Sequence, residues 1–305
     1  MFSVPILFLI YNRLDETKLV FENIRNIRPK FLYIAADGPK NSNIDKKKCK
    51  LTREYVLKNI DWECQVKTLI RSRNLGCRIA VSSAITWFFK NVCEGIILED
   101  DCLPNKSFYS FCQKLLKKYR TDDRIIMISG DNFQNKIQRG EASYYFSKYC
   151  HVWGWASWRR AWKDYDVDIK SFPKFKKLNI LNDVVTNYFE KIFWMRIFQN
   201  IYSNKSDTWD HQLSYLAFSQ NKLAIVPNFN LISNIGFGAN SSRTRSGGKL
   251  FSNLETKEIK KIIHPKFINQ NKLADSYTFL HLFFPLVLFQ LKEYFNRKKL
   301  SNKSE

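Results

Sequence analysis

The sequence predicts an α/β protein built on an open, mainly parallel sheet flanked by helices. Three observations carry that expectation. Short apolar runs, among them Val4 to Tyr11 and Ile96 to Leu98, read as strands buried on both faces. They alternate with segments of helical spacing through the first hundred residues, as in a doubly wound sheet. The residues that end these runs (Asn12-Arg13, Asp37-Gly38, Asn74 and Glu99-Asp100-Asp101) are chemically active, and open α/β sheets bind ligands beyond the carboxyl ends of their strands.

In chain order, the strand Val4 to Tyr11 leads through Asn12-Arg13-Leu14-Asp15 into a helix over Glu16 to Arg28, with Asp15 the expected N-cap. Phe31 to Ala36 is a second strand closed by the turn Asp37-Gly38-Pro39. Lys46 to Ile60 reads as a basic amphipathic helix and Glu63 to Ser72 as a third strand. After the turn Asn74-Leu75-Gly76 comes a helix over Ile79 to Asn91, then the strand Gly95 to Glu99, which Pro104 bars from continuing because proline has no amide to give a sheet. The second half is less regular. A helix over Ser107 to Tyr119 and a strand over Arg124 to Ser129 precede a polar loop and a segment with four tryptophans. There the spacing of Trp155, Trp158 and Trp162 fits one helical face packed in a core, with an aromatic platform for a sugar or base as the alternative. Helices over Asn182 to Tyr202 and from Asp207 to Phe218, a strand over Leu223 to Pro227, and a glycine-punctuated loop from Ser233 complete this part.

The chain's 305 residues, 45% apolar, are enough for one large domain or two smaller ones. The expected division is residues 1–245 as the main domain, with 1–104 and 105–245 as its halves, and 246–305 as a basic C-terminal extension with a helical tail. In that tail an apolar run over Tyr277 to Leu291 precedes the basic run Lys292 to Lys299 and suits a membrane surface; a helix packed on the domain is the alternative. The seven cysteines contain no C-x-x-C pair, and Met1 to Tyr11 lacks the basic region and cleavage site of a secretory signal, so the expectation is reduced thiols in a cytoplasmic protein, peripheral on the membrane at most. A formal net charge of +22 points to an anionic partner. The basic residues are scattered and no helix-turn-helix, zinc or RNA-binding signature is present, which argues against nucleic acid.

Against that basic background, three carboxylates at the end of a buried strand require a positive partner. Mg²⁺ or Mn²⁺ is the natural candidate, since hard cations take oxygen ligands and are often held by one or two carboxylates plus phosphate oxygens.

The ordered set Tyr11-Asn-Arg13, Asp37-Gly38, Asn74-Leu-Gly76, Glu99-Asp-Asp101, Gly154-Trp155 and Trp209-Asp210 resembles the GT-A-type glycosyltransferases, specifically bacterial relatives of the N-acetylglucosaminyltransferase I family. The resemblance spans most of residues 1–240. It implies a GT-A (Rossmann-like) fold, a nucleotide-diphospho-sugar donor, a Mn²⁺ or Mg²⁺ ion, a glycan or glycolipid acceptor, and single-displacement transfer with inversion, expected in bacterial surface glycan assembly. Under it Asp101 binds the metal, Glu99 and Asp100 shape the sugar and ribose site, Arg13 contacts the diphosphate, Asp37 hydrogen-bonds the nucleobase, and Asn74 belongs to the same nucleotide-sugar pocket. Asp210 is the expected general base, and His211 competes because the related pattern often has two adjacent acids where this chain has Asp-His. Arg243 and Arg245 are candidates for a lid over the phosphates, with a solvated loop as the other reading. The alternatives are a nucleotidyltransferase of similar fold, against which the first strand is followed by no glycine-rich phosphate loop, or a basic binding or membrane scaffold protein without catalysis.

Overall fold

The computed structural model describes residues 2–237 and 254–285. Arg243, Arg245 and the basic run Lys292 to Lys299 lie outside the described residues. Ten strands are described: β1 (Ile6–Ile10), β2 (Phe31–Ala36), β3 (Gln65–Ile70), β4 (Glu94–Glu99), β5 (Cys102–Pro104), β6 (Ile125–Ser129), β7 (Tyr144–Ser147), β8 (Trp155–Trp158), β9 (Leu223–Pro227) and β10 (Ile232–Asn234). Eight form one mixed sheet in the order β3-β2-β1-β4-β8-β6-β9-β7, while β5 and β10 form a separate antiparallel ribbon. The first four strands of that order run parallel. β8 lies antiparallel between β4 and β6, and β9 is parallel to β6. The expected α/β architecture, a Rossmann-like sheet of mixed, largely parallel strands flanked by helices, is therefore present.

The alternation in the first half follows the expected pattern through α1 (Leu14–Ile27), α2 (Asn43–Lys58) and α3 (Gly76–Asn91), and α4 (Lys106–Lys118) follows the β5 ribbon. β1 and β6 are buried along their whole length, which is why they read as unbroken apolar runs. Three helix starts differ from expectation, each for a local reason. Arg13, not Asp15, occupies the N-cap of α1; Asp15 sits in the first turn with its side chain 94% exposed. α2 begins three residues early, capped by the Ser42 hydroxyl on the Asp45 amide. α3 also begins three residues early, at Gly76, because carboxylates from distant loops meet its first amides: Asp37 accepts from Leu75 and Gly76, and Asp207 accepts from Arg78.

The tryptophan segment is a correction. Trp155 to Trp158 forms strand β8, and only Arg159–Trp162 is a single helical turn. The spacing suggested a helix because a central strand covered on both faces buries every side chain, so the two-residue alternation is lost. The core reading of these three rings holds: Trp155, Trp158 and Trp162 are all buried. Pro104 is a second correction, since it lies within β5. It pairs with Ile232 at the ribbon's end, where the next amide, that of Asn105, takes up the bonding to Leu231, so the missing proline amide costs nothing. The polar loop contains a further strand, β7, at the sheet edge, and Asn182 to Tyr202 is split into Leu181–Val184 and Tyr188–Tyr202.

Residues 254–285 pack back on this second half. Gln270 bridges to Phe146, and the helix Lys272–Thr278 is fixed by Asp275, whose buried carboxylate accepts from Ser147 and from the Lys148 amide. Phe283, in the π-turn Phe279–Phe283, lies against Tyr149 and Trp194. Among the described residues no helix is long and apolar enough to cross a membrane.

Candidate active site

A cavity of about 780 Å³ opens along the carboxyl ends of β1 to β4. Since β8 runs antiparallel to β4, the residues that lead into β8 reach the same edge. The cavity wall thus follows the strand order. Asp37, Lys40, Arg71 and Asn74 line it after β2 and β3, Arg13 and the triplet Glu99-Asp100-Asp101 after β1 and β4, and Val152 and Trp153 before β8; Asp207, Trp209 and Asp210 line it as well, with Asp207 against the start of α3 that Asp37 also meets. Seven of the eight residues expected from sequence therefore line one cavity. His211 does not: it stands next to Asp210 in the helix Asp210–Ser219, with its ring 6.0 Å from that of Trp194 and nearly perpendicular to it.

At the centre, Arg13 Nη1 lies 2.5 Å from Asp101 Oδ2 and 3.8 Å from Asp100 Oδ1, and Asp100 also accepts from the Tyr11 amide. One guanidinium faces three acids. Burial, reinforced by the charges of Asp101 and Asp100, pushes the Glu99 carboxyl well above the usual carboxylate range, and the more distant Asp210 charge adds to the rise. Burial likewise raises Asp100, against the pull of Arg13. The backbone of Gly236 presses on this pair. A Cβ there would overlap Asp101 Oδ2 and come within 2.7 Å of Arg13 Nη1, and the Ile235 amide donates to the Asp101 carbonyl at 2.8 Å. The β5–β10 ribbon explains the approach, for it delivers residues 235–237 to the triplet.

The β2–β3 end is organised by two carboxylates. Asp37 accepts from its neighbour Gly38, from the amides of Leu75 and Gly76, and from Asn74 Nδ2 at 3.0 Å, so its oxygens are engaged within the protein and hold Asn74 in place. Gly38 admits no side chain, because a Cβ would overlap the Arg73 backbone. The second carboxylate, Asp45, was not singled out from sequence. It is 9% exposed and accepts at 2.6 Å from Tyr11 Oη, Asn12 Nδ2 and the Lys40 amide, tying the loops after β1 and β2 together. Its available sequence signal was the spacing Ser42-x-x-Asp45 at a helix start.

On the far side, Asp210 opens its helix and accepts from Thr208 Oγ1. Trp209 is buried and stacked on Trp155 at 5.9 Å, so its backbone is rigidly placed and Asp210 with it. Asp207, not singled out from sequence, also lines the cavity and reaches the Arg78 amide, and Trp153 belongs to the tryptophan segment whose alternative reading was an aromatic platform.

No family model matches the chain, and no curated protein matches it significantly. Among solved structures it is similar to HddC from Yersinia pseudotuberculosis (12% identity, 57% of this chain and 87% of that one, TM-score 0.33). It is also similar to mouse xyloside xylosyltransferase 1 in its apo form (8% identity, 73% and 84%, TM-score 0.39) and to a UDP-glucose pyrophosphorylase complexed with UDP-glucose (10%, 73% and 90%, TM-score 0.33). At these identities and TM-scores the likenesses identify neither a family nor an activity.

Proposed function

We propose that this protein is a metal-dependent glycosyltransferase that moves a sugar from a nucleotide-diphospho-sugar to an acceptor hydroxyl with inversion. The observation that carries the reading is the meeting of Arg13 with the triplet Glu99-Asp100-Asp101 in a cavity at the carboxyl ends of the strands. A diphosphate beside three carboxylates is repelled unless a cation lies between them, and hard carboxylate oxygens around one guanidinium fit Mg²⁺ or Mn²⁺. Asp101, with its side chain partly exposed to the cavity, would hold the metal, assisted by Asp100. When bound, the ion would offset charge developing on the departing diphosphate.

Arg13 would take the diphosphate in a bidentate contact, leaving Asp101 for the metal. The nucleoside would occupy the β2–β3 end. Asp37 acts there as a positioning residue that fixes Asn74 and the start of α3, in place of the direct nucleobase contact expected from the resemblance. The sugar and acceptor would meet at the opposite end, where Asp210 would accept the acceptor proton. His211, turned toward Trp194, is not given that role. Surface glycan assembly and a peripheral membrane location through the C-terminal segment remain part of the proposal.

The test is calorimetric titration of nucleoside diphosphates and their sugar conjugates with and without Mn²⁺. The reading expects at least one to bind only with metal, and Asp101→Asn to abolish that binding while the protein keeps its unfolding transition. Metal-independent binding unchanged in Asp101→Asn would overturn it.

A further inference from the structure

Of the four tryptophans between residues 153 and 162, three are core residues whose ring faces are taken. Trp155 stacks on Trp209, Trp162 stacks on Tyr165 at 4.0 Å, and the Arg160 guanidinium lies 4.4 Å over Trp158. Trp153 differs in each respect. It is half-buried, it lines the cavity, and its two ring neighbours meet it nearly at right angles: Phe133 at 5.1 Å and 78°, and Phe237 at 5.5 Å and 69°. Among the described residues no ring stacks on it. Neighbours on two elements that stand steeply to the indole fix its plane without lying flat against it. An aromatic ring held rigid and left partly open in a polar cavity is a site for a flat, partly apolar ligand, not a packing element.

Its place in the cavity narrows the ligand. Trp153 precedes β8, so strand order sets it across the acidic triplet from the loops after β2 and β3, and it lines the same cavity as Asp210. A nucleoside at the β2–β3 end with its phosphates at Arg13 leaves only sugar to reach Trp153. We propose that Trp153 is the stacking platform for a pyranose ring in the cavity, with the ring's C–H face on the indole and its hydroxyls toward Asp210. This assignment rests on the nucleotide-sugar reading. A donor sugar and a saccharide acceptor present the same C–H face, and the experiment separates them.

Full-length wild type, Trp153→Phe, Trp153→Ala and Trp153→Leu would be compared in the presence of Mn²⁺. One arm measures by calorimetry the affinity of the nucleoside diphosphate that wild type binds from a panel of UDP, GDP, CDP and dTDP, and of its sugar conjugates. The other measures saturation transfer from protein to the ring protons of methyl β-D-glucopyranoside and methyl β-D-galactopyranoside in the presence of that nucleotide. The expected result for Trp153→Ala is a nucleoside diphosphate Kd within about twofold of wild type, with sugar recognition reduced about fivefold to tenfold; Trp153→Phe should retain most of it. A loss confined to the sugar conjugate assigns the platform to the donor, and a loss confined to the glycosides assigns it to the acceptor. Trp153→Leu keeps apolar bulk without a planar face, so it covers the case in which alanine fails to fold, and it too should lose sugar. Unchanged sugar recognition in Trp153→Leu overturns the proposal, as does an equal loss for nucleotide and conjugate. If wild type binds no nucleotide at all, the parent reading fails separately, and glycoside saturation transfer lost in Trp153→Leu would still support the platform.

Discussion

Asp45 is the residue whose replacement should most sharply separate a positioning role from a packing one. Its carboxylate sits behind the cavity, 9% exposed, with Tyr11 Oη and the Lys40 amide on Oδ2 and Asn12 Nδ2 on Oδ1. Burial acts to raise its pKa, yet these hydrogen bonds outweigh burial and hold the carboxyl below its ordinary value. In Asp45→Ala three charge-assisted bonds disappear. Each is worth about 1.5–3 kcal/mol when fully enclosed, but Tyr11, Asn12 and Lys40 are partly exposed and water recovers some of the loss. The expected cost is about 3–5 kcal/mol, a Tm lower by roughly 6–15 °C. Asp45→Asn should cost much less. Asparagine can keep its oxygen toward Tyr11 and Lys40 and turn its amide to Asn12, whose own amide can flip to accept. Because the folded pKa is depressed, the carboxylate's contribution is present above the unfolded value and is lost as pH falls through the folded one. The stability gap between wild type and Asp45→Asn should therefore shrink below about pH 4. Calorimetry across that pH range, with the nucleotide titration alongside, is the assay. Equal Tm values for Asp45→Ala and Asp45→Asn at pH 7 would refute the reasoning.

Gly236→Ala should fold with a loss of about 1–3 kcal/mol and lose metal-dependent nucleotide binding, since the new methyl would force Asp101 and Arg13 apart; wild-type affinity by calorimetry would show that the pair has room to shift. Asp37→Asn should be worse tolerated than Asp45→Asn, lowering Tm and loosening Asn74, because all of Asp37's partners are donors and three are backbone amides that cannot flip; amide exchange at residues 74–78 checks this, and unchanged protection would refute it. Asp210→Asn should keep donor affinity and reduce transfer about 10²–10⁴-fold in steady-state assays, the range for a lost general base; near-normal turnover would remove Asp210 from that role.

The strands and helices of the first half were legible because each is set by a local pattern. β1 and β2 are unbroken apolar runs, and Asp37-Gly38 and Asn74-Leu-Gly76 are turn signals whatever surrounds them. What the sequence hid depends on partners far along the chain. The start of α3 is moved to Gly76 by Asp37 and Asp207, which lie 39 and 129 residues away from the amides they meet. Asp45 stands before three lysines and resembles a solvated charge, since nothing nearby announces Tyr11 as its partner. The tryptophan segment failed for a different reason. A strand buried on both faces carries no periodicity, so a chance spacing of Trp155, Trp158 and Trp162 imitated a helix.

The same contrast explains how a buried sheet edge can carry so much acid. Two sets of acids in and behind the cavity have opposite surroundings. Asp37 and Asp45 face only donors, which stabilise them as anions and turn them into clamps for loops. Glu99, Asp100 and Asp101 crowd one another around a single guanidinium, with one backbone amide on Asp100, an arrangement that costs stability unless something positive joins it. Folding alone would favour replacing two of the three with neutral residues. Their presence beside a glycine that admits no Cβ, in loops held by two satisfied carboxylates, is the pattern of a site strained for binding and braced by its neighbours. On the proposed reading, specificity falls to the rest of the cavity lining, Asn74, Arg71, Trp153 and Asp210.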